Sequence, residues 1–219
     1  MNEQKPYKEG NIYNNNMLPG DLNRSPDDSF IFIDSGFLSK LSKYFTEGKY
    51  ITYDLIKFCE NLSEKQKLIC KKIFYYTAPP FQSNFPTKEE RERKNRYDTF
   101  IKKLSKHFEI EIREGRCQRL SNNKEYRYSQ KAVDSLMVID LMKVPLRYPN
   151  IKKIILIACD TDFVSVVNEL KEIGIEIILY TFFIGKRNTN FSRSTYLNNV
   201  VTRYIKLTKQ DFDNAKLIK

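Results

Sequence analysis

The chain has 219 residues, 41% of them hydrophobic, and its 38 Lys and Arg against 27 Asp and Glu give a formal net charge of +11. This length suits one α/β domain with a substantial core. No apolar run approaches the roughly 20 residues of a membrane span and no signal peptide is evident, so we expect a cytoplasmic protein without membrane contact. The basic excess predicts a polyanionic partner, most often nucleic acid.

Residues 1–28 are rich in Asn, Pro, Gly and Asp without apolar periodicity, which predicts a flexible N-terminal arm. A β-prone run then ends at Asp34, followed by the small residues Ser35 and Gly36. Asp34 could therefore face a ligand at a strand end, or cap the helix predicted from Phe37. The two roles are compatible.

The next segments predict structural elements without an obvious site. Residues 54–72 carry an amphipathic helical pattern, and an apolar strand over 73–78 stops at two prolines. Thr87 and Glu90 have capping-box spacing at the start of a charged helix, whose buried side should consist of Phe100, Ile101, Leu104 and Phe108. His107 is the only histidine in the chain, which disfavours a histidine-dependent hydrolase. The four cysteines lack paired spacing, which argues against a zinc site or disulfide framework.

Basic residues and tyrosines alternate over residues 114–131. Guanidinium groups suit phosphates and tyrosine rings suit unpaired bases, so this segment predicts a nucleic-acid-binding hairpin or loop. The residues that carry the prediction are Arg113, Arg116, Arg119, Lys124, Arg127, Lys131, Tyr126 and Tyr128. An ordinary exposed hairpin is the alternative.

A helix is predicted from about residue 131, with so many apolar residues that almost no solvent face is expected. Asp134 falls in its first turn, where backbone N–H groups could hold it or where it could be a ligand. Asp140 lies on a different side of the helix, and we interpret it as a supporting or structural residue.

The strongest signal is a strand–helix–strand unit over residues 154–180. An unbroken apolar run ends just before Asp160 and Asp162, at the strand edge where open α/β sheets bind ligands. Two close carboxylates repel each other unless something neutralises them, and a divalent metal is the usual solution. A loop with Lys186 and Arg187 follows the second strand.

Three blocks, at residues 32–36, 131–134 and 158–163, resemble in order and spacing the NYN domain family of PIN-like ribonucleases, which includes LabA-like proteins. The resemblance covers about 29–207 and leaves 208–219 as a C-terminal tail. It implies an α/β fold, a three-layer α/β/α sandwich around a mostly parallel sheet. It also implies an acidic cluster that binds Mg²⁺ or Mn²⁺ and cleaves RNA.

Carried over position by position, the resemblance assigns the catalytic and metal-binding roles to Asp34, Asp134, Asp160 and Asp162. We assign nucleic-acid contacts to Ser35, Arg127, Lys131, Lys186 and Arg187. The chain departs from the family pattern at Phe37, where many members have Asn, at Ala132, which replaces Gly, and at Val201-Thr202, which replaces an Ala-Asp pair.

These features predict a metal-dependent ribonuclease, an endonuclease in preference to an exonuclease, acting on single-stranded or structured RNA. A non-catalytic RNA-binding or regulatory module is the first alternative. A small-molecule phosphohydrolase built on the Asp160 and Asp162 pair is weaker, because the first strand lacks a second acid after Asp34. The sequence leaves a homodimer open.

Overall fold

The structure is a computed structural model that describes residues 25–122, 125–184, 191 and 195–217. Most of the arm predicted for residues 1–28, and the predicted phosphate ligands Lys186 and Arg187, lie outside the described residues. Within them, no helix is long and apolar enough to cross a bilayer.

A parallel sheet forms the centre of the domain. The strands of the described residues are β1 (Asp27–Asp34), β2 (Leu68–Thr77), β3 (Ile110–Glu114), β4 (Arg116–Asn122), β5 (Glu125–Lys131), β6 (Lys153–Ile157), β7 (Glu176–Thr181) and β8 (Arg203–Lys206). Six of them pair in the order β3-β2-β1-β6-β7-β8, every pair parallel. β4 and β5 form a separate antiparallel hairpin.

Helices cover both faces of this sheet. They are α1 (Ser35–Phe45), α2 (Leu55–Glu64), α3 (Lys88–Leu104), α4 (Val133–Arg147), α5 (Val164–Glu172), α6 (Thr195–Val200) and α7 (Lys209–Asp213). Side chains of α1, α2, α7 and the end of α3 share one core cluster, and those of α4, α5 and α6 share the other. The predicted three-layer α/β/α sandwich is confirmed.

The apolar strands are explained by burial on two faces. In β1, Ile31 and Ile33 pack into one core cluster while Phe30 and Phe32 pack into the other, and all four are at most 5% exposed. Successive side chains of a strand point to opposite faces, so a strand covered on both sides needs apolar residues at every position. β1 lies between β2 and β6, which makes it a central strand.

Three local predictions were wrong. The helix predicted over 54–72 ends at Glu64, because Lys67 adopts a left-handed φ of 57° and the chain then enters β2. The helix α4 does have a solvent face, on which Leu146 is 82% exposed. Phe100 and Phe108 are exposed rather than buried.

The predicted C-terminal tail is folded onto the domain. Phe212 of α7 is fully buried in the core cluster beneath α1 and α2. Lys216 forms an antiparallel bridge with Tyr53. The domain therefore extends beyond residue 207, through at least this bridge.

Candidate active site

The acidic residues lie where the sheet changes its direction of winding. From β1 the chain continues to β2 and β3 on one side, whereas β6, β7 and β8 extend from the other side. The junction between β1 and β6 is thus the topological switch point, whose carboxyl edge is the usual ligand site of an open α/β sheet. Asp34 ends β1, and Asp160 follows the end of β6.

Asp34 caps helix α1, as the sequence allowed. Its Oδ1 accepts hydrogen bonds from the backbone N–H of Gly36 at 2.8 Å and of Phe37 at 3.2 Å. Burial raises the pKa of Asp34, the two backbone hydrogen bonds oppose this, and the charge of Asp160 adds to the rise. Both hydrogen bonds go to Oδ1, so the cap does not use the other carboxylate oxygen of Asp34.

The Asp160 and Asp162 pair is set by a short turn. Asp160 caps a single 3₁₀ turn, Thr161–Phe163, and its Oδ1 accepts a hydrogen bond from the backbone N–H of Asp162 at 3.1 Å. Both aspartates are exposed, while Phe163 anchors the turn in the core with no exposed surface. Asp160 and Asp162 therefore lie on an anchored turn at the carboxyl end of β6, beside the switch point.

Asp134 joins this group from the first turn of α4. Burial raises its pKa to about 6, and the charges of Asp34, Asp160 and Asp162 add to that rise. The four carboxylates predicted from the sequence thus lie close enough to act on one another electrostatically. The charges of neighbouring carboxylates disfavour the ionised forms of Asp34 and Asp134, as expected for a site that a cation would neutralise.

The start of α4 is positioned by a tight backbone contact. Ala132, immediately before the helix, has a left-handed φ of 67°, which is the conformation that Gly adopts most readily. A Cβ on Gly115 would lie 2.8 Å from Val133 Cγ2 and still closer to the Lys131 carbonyl oxygen. Because Gly115 has no side chain, the backbone at Lys131 and Val133 can pack against it, and this contact positions Asp134 near the edge of the sheet.

The donor set fits a divalent cation by its chemistry. Carboxylate oxygens are the hard ligands that Mg²⁺ and Mn²⁺ prefer. The placement of the side chains is less complete, because in the described part of the chain no group of three His, Cys, Asp or Glu side chains is arranged to hold an ion. The four aspartates thus interact through their charges. Their side chains are not arranged as a complete coordination shell.

Two residues of this region were missed by the sequence analysis. Lys40 lies on α1 four residues after Gly36, hence on the same side of the helix, and its charge partly offsets the rise in pKa that burial causes at Asp34 and Asp134. Gln130 of β5 also approaches the capped turn, since its Oε1 lies 3.1 Å from the position of a Cβ on Gly36. The helical spacing from Gly36 could have indicated Lys40, but Gln130 depends on tertiary packing.

Cys159 lies beside the cluster as a protonated thiol. Burial, followed by the charges of Asp34 and Asp160, raises the pKa of Cys159 to about 12. A thiol is a poor nucleophile until it ionises. Cysteine-based catalysis at this site is therefore disfavoured.

The predicted nucleic-acid ligands occupy different environments. Lys131, at the end of β5, and Arg127, on the hairpin, are exposed. Ser35 is only 4% exposed, so its side chain is buried in the protein. Lys186 and Arg187 were predicted contacts as well, but they are outside the residues that the structure describes.

Asp140 belongs to a structural network away from the acidic cluster. Its carboxylate is bound by Arg113 of β3, by Lys143 of α4 at 3.1 Å and by the Tyr76 hydroxyl of β2 at 3.2 Å. A buried carboxylate needs such partners. The supporting role that the sequence indicated for Asp140 agrees with these contacts.

Comparison with known proteins adds a family and a shared fold. The family model of the NYN domain matches residues 29–208, most of the chain, and the search of curated proteins found no match. Among the solved structures that resemble it is the crystal structure of a protein of unknown function from Vibrio parahaemolyticus. That structure is 14% identical, with a TM-score of 0.51, and the match covers 86% of this chain and 96% of that one. Such a likeness shows the fold alone, and the fold is consistent with the PIN-like class.

Proposed function

Because the chain belongs to the NYN domain family, a PIN-like family of nuclease type, we propose that it is a metal-dependent ribonuclease that cuts RNA internally. The observation that carries the proposal is the convergence of four carboxylates at the switch point, where burial, and then the charges of the other three carboxylates, raise the pKa of Asp134 to about 6. A carboxylate whose pKa is raised by burial together with specific neighbouring charges is a candidate for a functional site.

Asp34, Asp134, Asp160 and Asp162 would hold Mg²⁺ or Mn²⁺, directly or through water. When bound, the ion would supply charge for the phosphate oxygens and an activated water for hydrolysis of the phosphodiester. The chain's own contribution is to hold these carboxylates on three elements, which are the end of β1, the start of α4 and the turn after β6. RNA binding would bring the side chains of the cluster into their final arrangement, since apo sites often tighten only with substrate.

Basic side chains beside the cluster would hold the RNA backbone. Lys40 already lies within the electrostatic field of Asp34 and Asp134, and Lys131 is exposed at the end of the hairpin next to α4. Arg127 is exposed farther along the same strand. Lysine and arginine contacts to phosphates fix the register of a nucleic acid without reading its sequence.

A non-catalytic RNA-binding module is the second candidate. It is favoured by one observation, the lack of any three metal-ligating side chains arranged around a common point in the described ranges. The same basic surface would then bind RNA without cutting it.

The four cysteines are free thiols, as expected in a reducing compartment. A cytoplasmic location is therefore part of the proposal.

One experiment separates the two functions. Purified protein is mixed with labelled single-stranded RNA, and both binding in EDTA and cutting after addition of Mn²⁺ or Mg²⁺ are measured. The nuclease proposal expects binding in both conditions and cutting only with metal. Binding without cutting at any metal concentration would favour the binding module, and salt-sensitive affinity would be expected for either.

A further inference from the structure

A cluster of cationic and aromatic side chains joins the hairpin to the loop after β2. The guanidinium carbon of Arg119 lies 4.8 Å from the centre of the Phe81 ring and 4.4 Å from that of Tyr126. Phe81 and Tyr128 have ring centres 5.8 Å apart, and Arg93 of α3 lies over Tyr128 at 5.9 Å. Planar cations and rings packed in this way form a surface on which another flat group can stack.

This surface borders a cleft of about 410 Å³. The cleft is lined by Phe81, Gln82, Ser83, Asn84, Phe85 and Arg119. Two rings of this region are open to solvent: Phe85, which lines the cleft, is 91% exposed, and Tyr126, on the adjoining hairpin, is 58% exposed. The cleft thus offers rings for stacking, amide groups for hydrogen bonds and a guanidinium group for a phosphate.

The loop that forms the cleft is held in place by Glu90. The Ser83 hydroxyl donates to Glu90 Oε2 at 2.7 Å, and Gln82 Nε2 donates to the Glu90 backbone carbonyl at 2.7 Å. Glu90 also completes the capping box with Thr87 at the start of α3. A site that is ordered before its ligand arrives loses less conformational entropy on binding.

The hairpin connects this cleft to the acidic cluster. Register pairs Arg119 with Tyr128 and Cys117 with Gln130, so Tyr126, Tyr128 and Gln130 share one face of β5. Gln130 approaches the turn that Asp34 caps. At the usual rise of a strand, Tyr128 lies about 7 Å and Tyr126 about 13 Å from Gln130.

We propose that the cleft and this face of the hairpin bind the unstacked bases of single-stranded RNA and lead its backbone to the acidic cluster. The proposal rests on the ribonuclease function for the identity of its ligand. A duplex keeps its bases stacked on each other, whereas single-stranded RNA can turn them onto aromatic rings. A ligand of this cleft must therefore present unstacked bases, which a continuous duplex does not.

The test uses Phe85→Ala and Tyr126→Ala in the full chain, with Phe108→Ala as a matched control. Phe108 is 92% exposed, close to the 91% of Phe85, but it precedes β3 and so lies at the opposite edge of the sheet. Affinity for a short labelled single strand is measured by fluorescence anisotropy in EDTA. An oligomer carrying 2-aminopurine reports stacking through quenching of its fluorescence.

We expect Phe85→Ala and Tyr126→Ala each to weaken binding about fivefold or more and to reduce the quenching, since stacking on one ring has that effect. Phe108→Ala should bind as the wild type does. The proposal is overturned if Phe85→Ala and Tyr126→Ala both bind the single strand as tightly as Phe108→Ala does. It is also overturned if a duplex of the same sequence binds as tightly as the single strand and loses as much affinity in the two variants.

The failure of this proposal can be told apart from the failure of the ribonuclease proposal. Binding in EDTA does not depend on cutting, so these variants test the cleft alone. If the wild-type protein never cuts RNA but the variants show the expected losses of binding, the proposed RNA-binding cleft stands and the proposed nuclease function is wrong.

Discussion

Arg113 binds Asp140 through two hydrogen bonds, from Nε to Oδ2 at 2.7 Å and from Nη2 to Oδ1 at 3.3 Å. The pair joins strand β3 to helix α4, and the Asp140 side chain is 8% exposed. The pair therefore stabilises the packing of α4 on the sheet, away from the acidic cluster.

Asp140→Ala should lower the free energy of unfolding by about 2–3 kcal/mol, because it leaves Arg113 and the buried Tyr76 hydroxyl without their partner. Urea denaturation measures the loss. RNA cleavage per folded molecule should stay near the wild-type value.

A double-mutant cycle with Arg113→Ala supplies the control for this prediction. The double variant should lose less stability than the sum of the two single variants. Strict additivity would show that the contact between Arg113 and Asp140 contributes nothing of its own.

Ala132→Gly should stabilise the protein by about 0.5–1 kcal/mol. Ala132 has a φ of 67°, which costs a residue with a Cβ roughly that much more than glycine. Thermal unfolding should therefore shift upward by a few degrees. An unchanged or lower midpoint would mean that the turn before α4 does not hold this conformation in solution.

Asp134→Asn should be more stable than the wild type at neutral pH in EDTA. The pKa of Asp134 is raised from 3.8 to about 6 in the folded chain, so the folded state binds this proton more tightly than the unfolded state does. The wild type therefore loses stability as the pH rises through this interval, whereas Asn does not titrate. After allowance for solvent screening, we expect the free energy of unfolding of Asp134→Asn to exceed that of the wild type by about 1–2 kcal/mol above pH 6.

The control for Asp134→Asn is the same comparison in acid. The difference between the two proteins should vanish below about pH 4, where Asp134 is protonated in both states. Urea denaturation across this range measures it. An Asn variant that is less stable than the wild type at neutral pH would contradict the raised pKa of Asp134.

The central strands and the aspartates that follow them could be predicted because they depend on patterns among residues close together in the sequence. The unbroken apolar runs of β1 and β6 indicate strands buried on both faces, and Asp34 and Asp160 follow directly from where those runs end. The capping box of Thr87 and Glu90 is likewise a local pattern, and the structure confirms it.

Tertiary placement could not be read from the same patterns. An apolar residue in a helix pattern indicates a core position, yet Leu146 of α4 faces solvent because no element covers that side of the helix among the described residues. The contact of Gln130 with the turn at Gly36 joins segments far apart in sequence. The end of α2 depends on the backbone conformation of Lys67, which no periodicity predicts.

On the proposed function, the acidic cluster cleaves the RNA and the basic surface only binds it. The most direct measurement compares the rates of RNA cleavage by the wild type, Asp160→Asn and Asp28→Asn in Mn²⁺. Asp28 lies at the amino end of β1, where it pairs with Lys71 at 3.5 Å, so it controls for the loss of one exposed carboxylate. We expect Asp160→Asn to abolish cleavage while its fold and RNA binding persist, and Asp28→Asn to cut normally. An Asp160→Asn protein that cuts at the wild-type rate would contradict the assignment of catalysis to the acidic cluster.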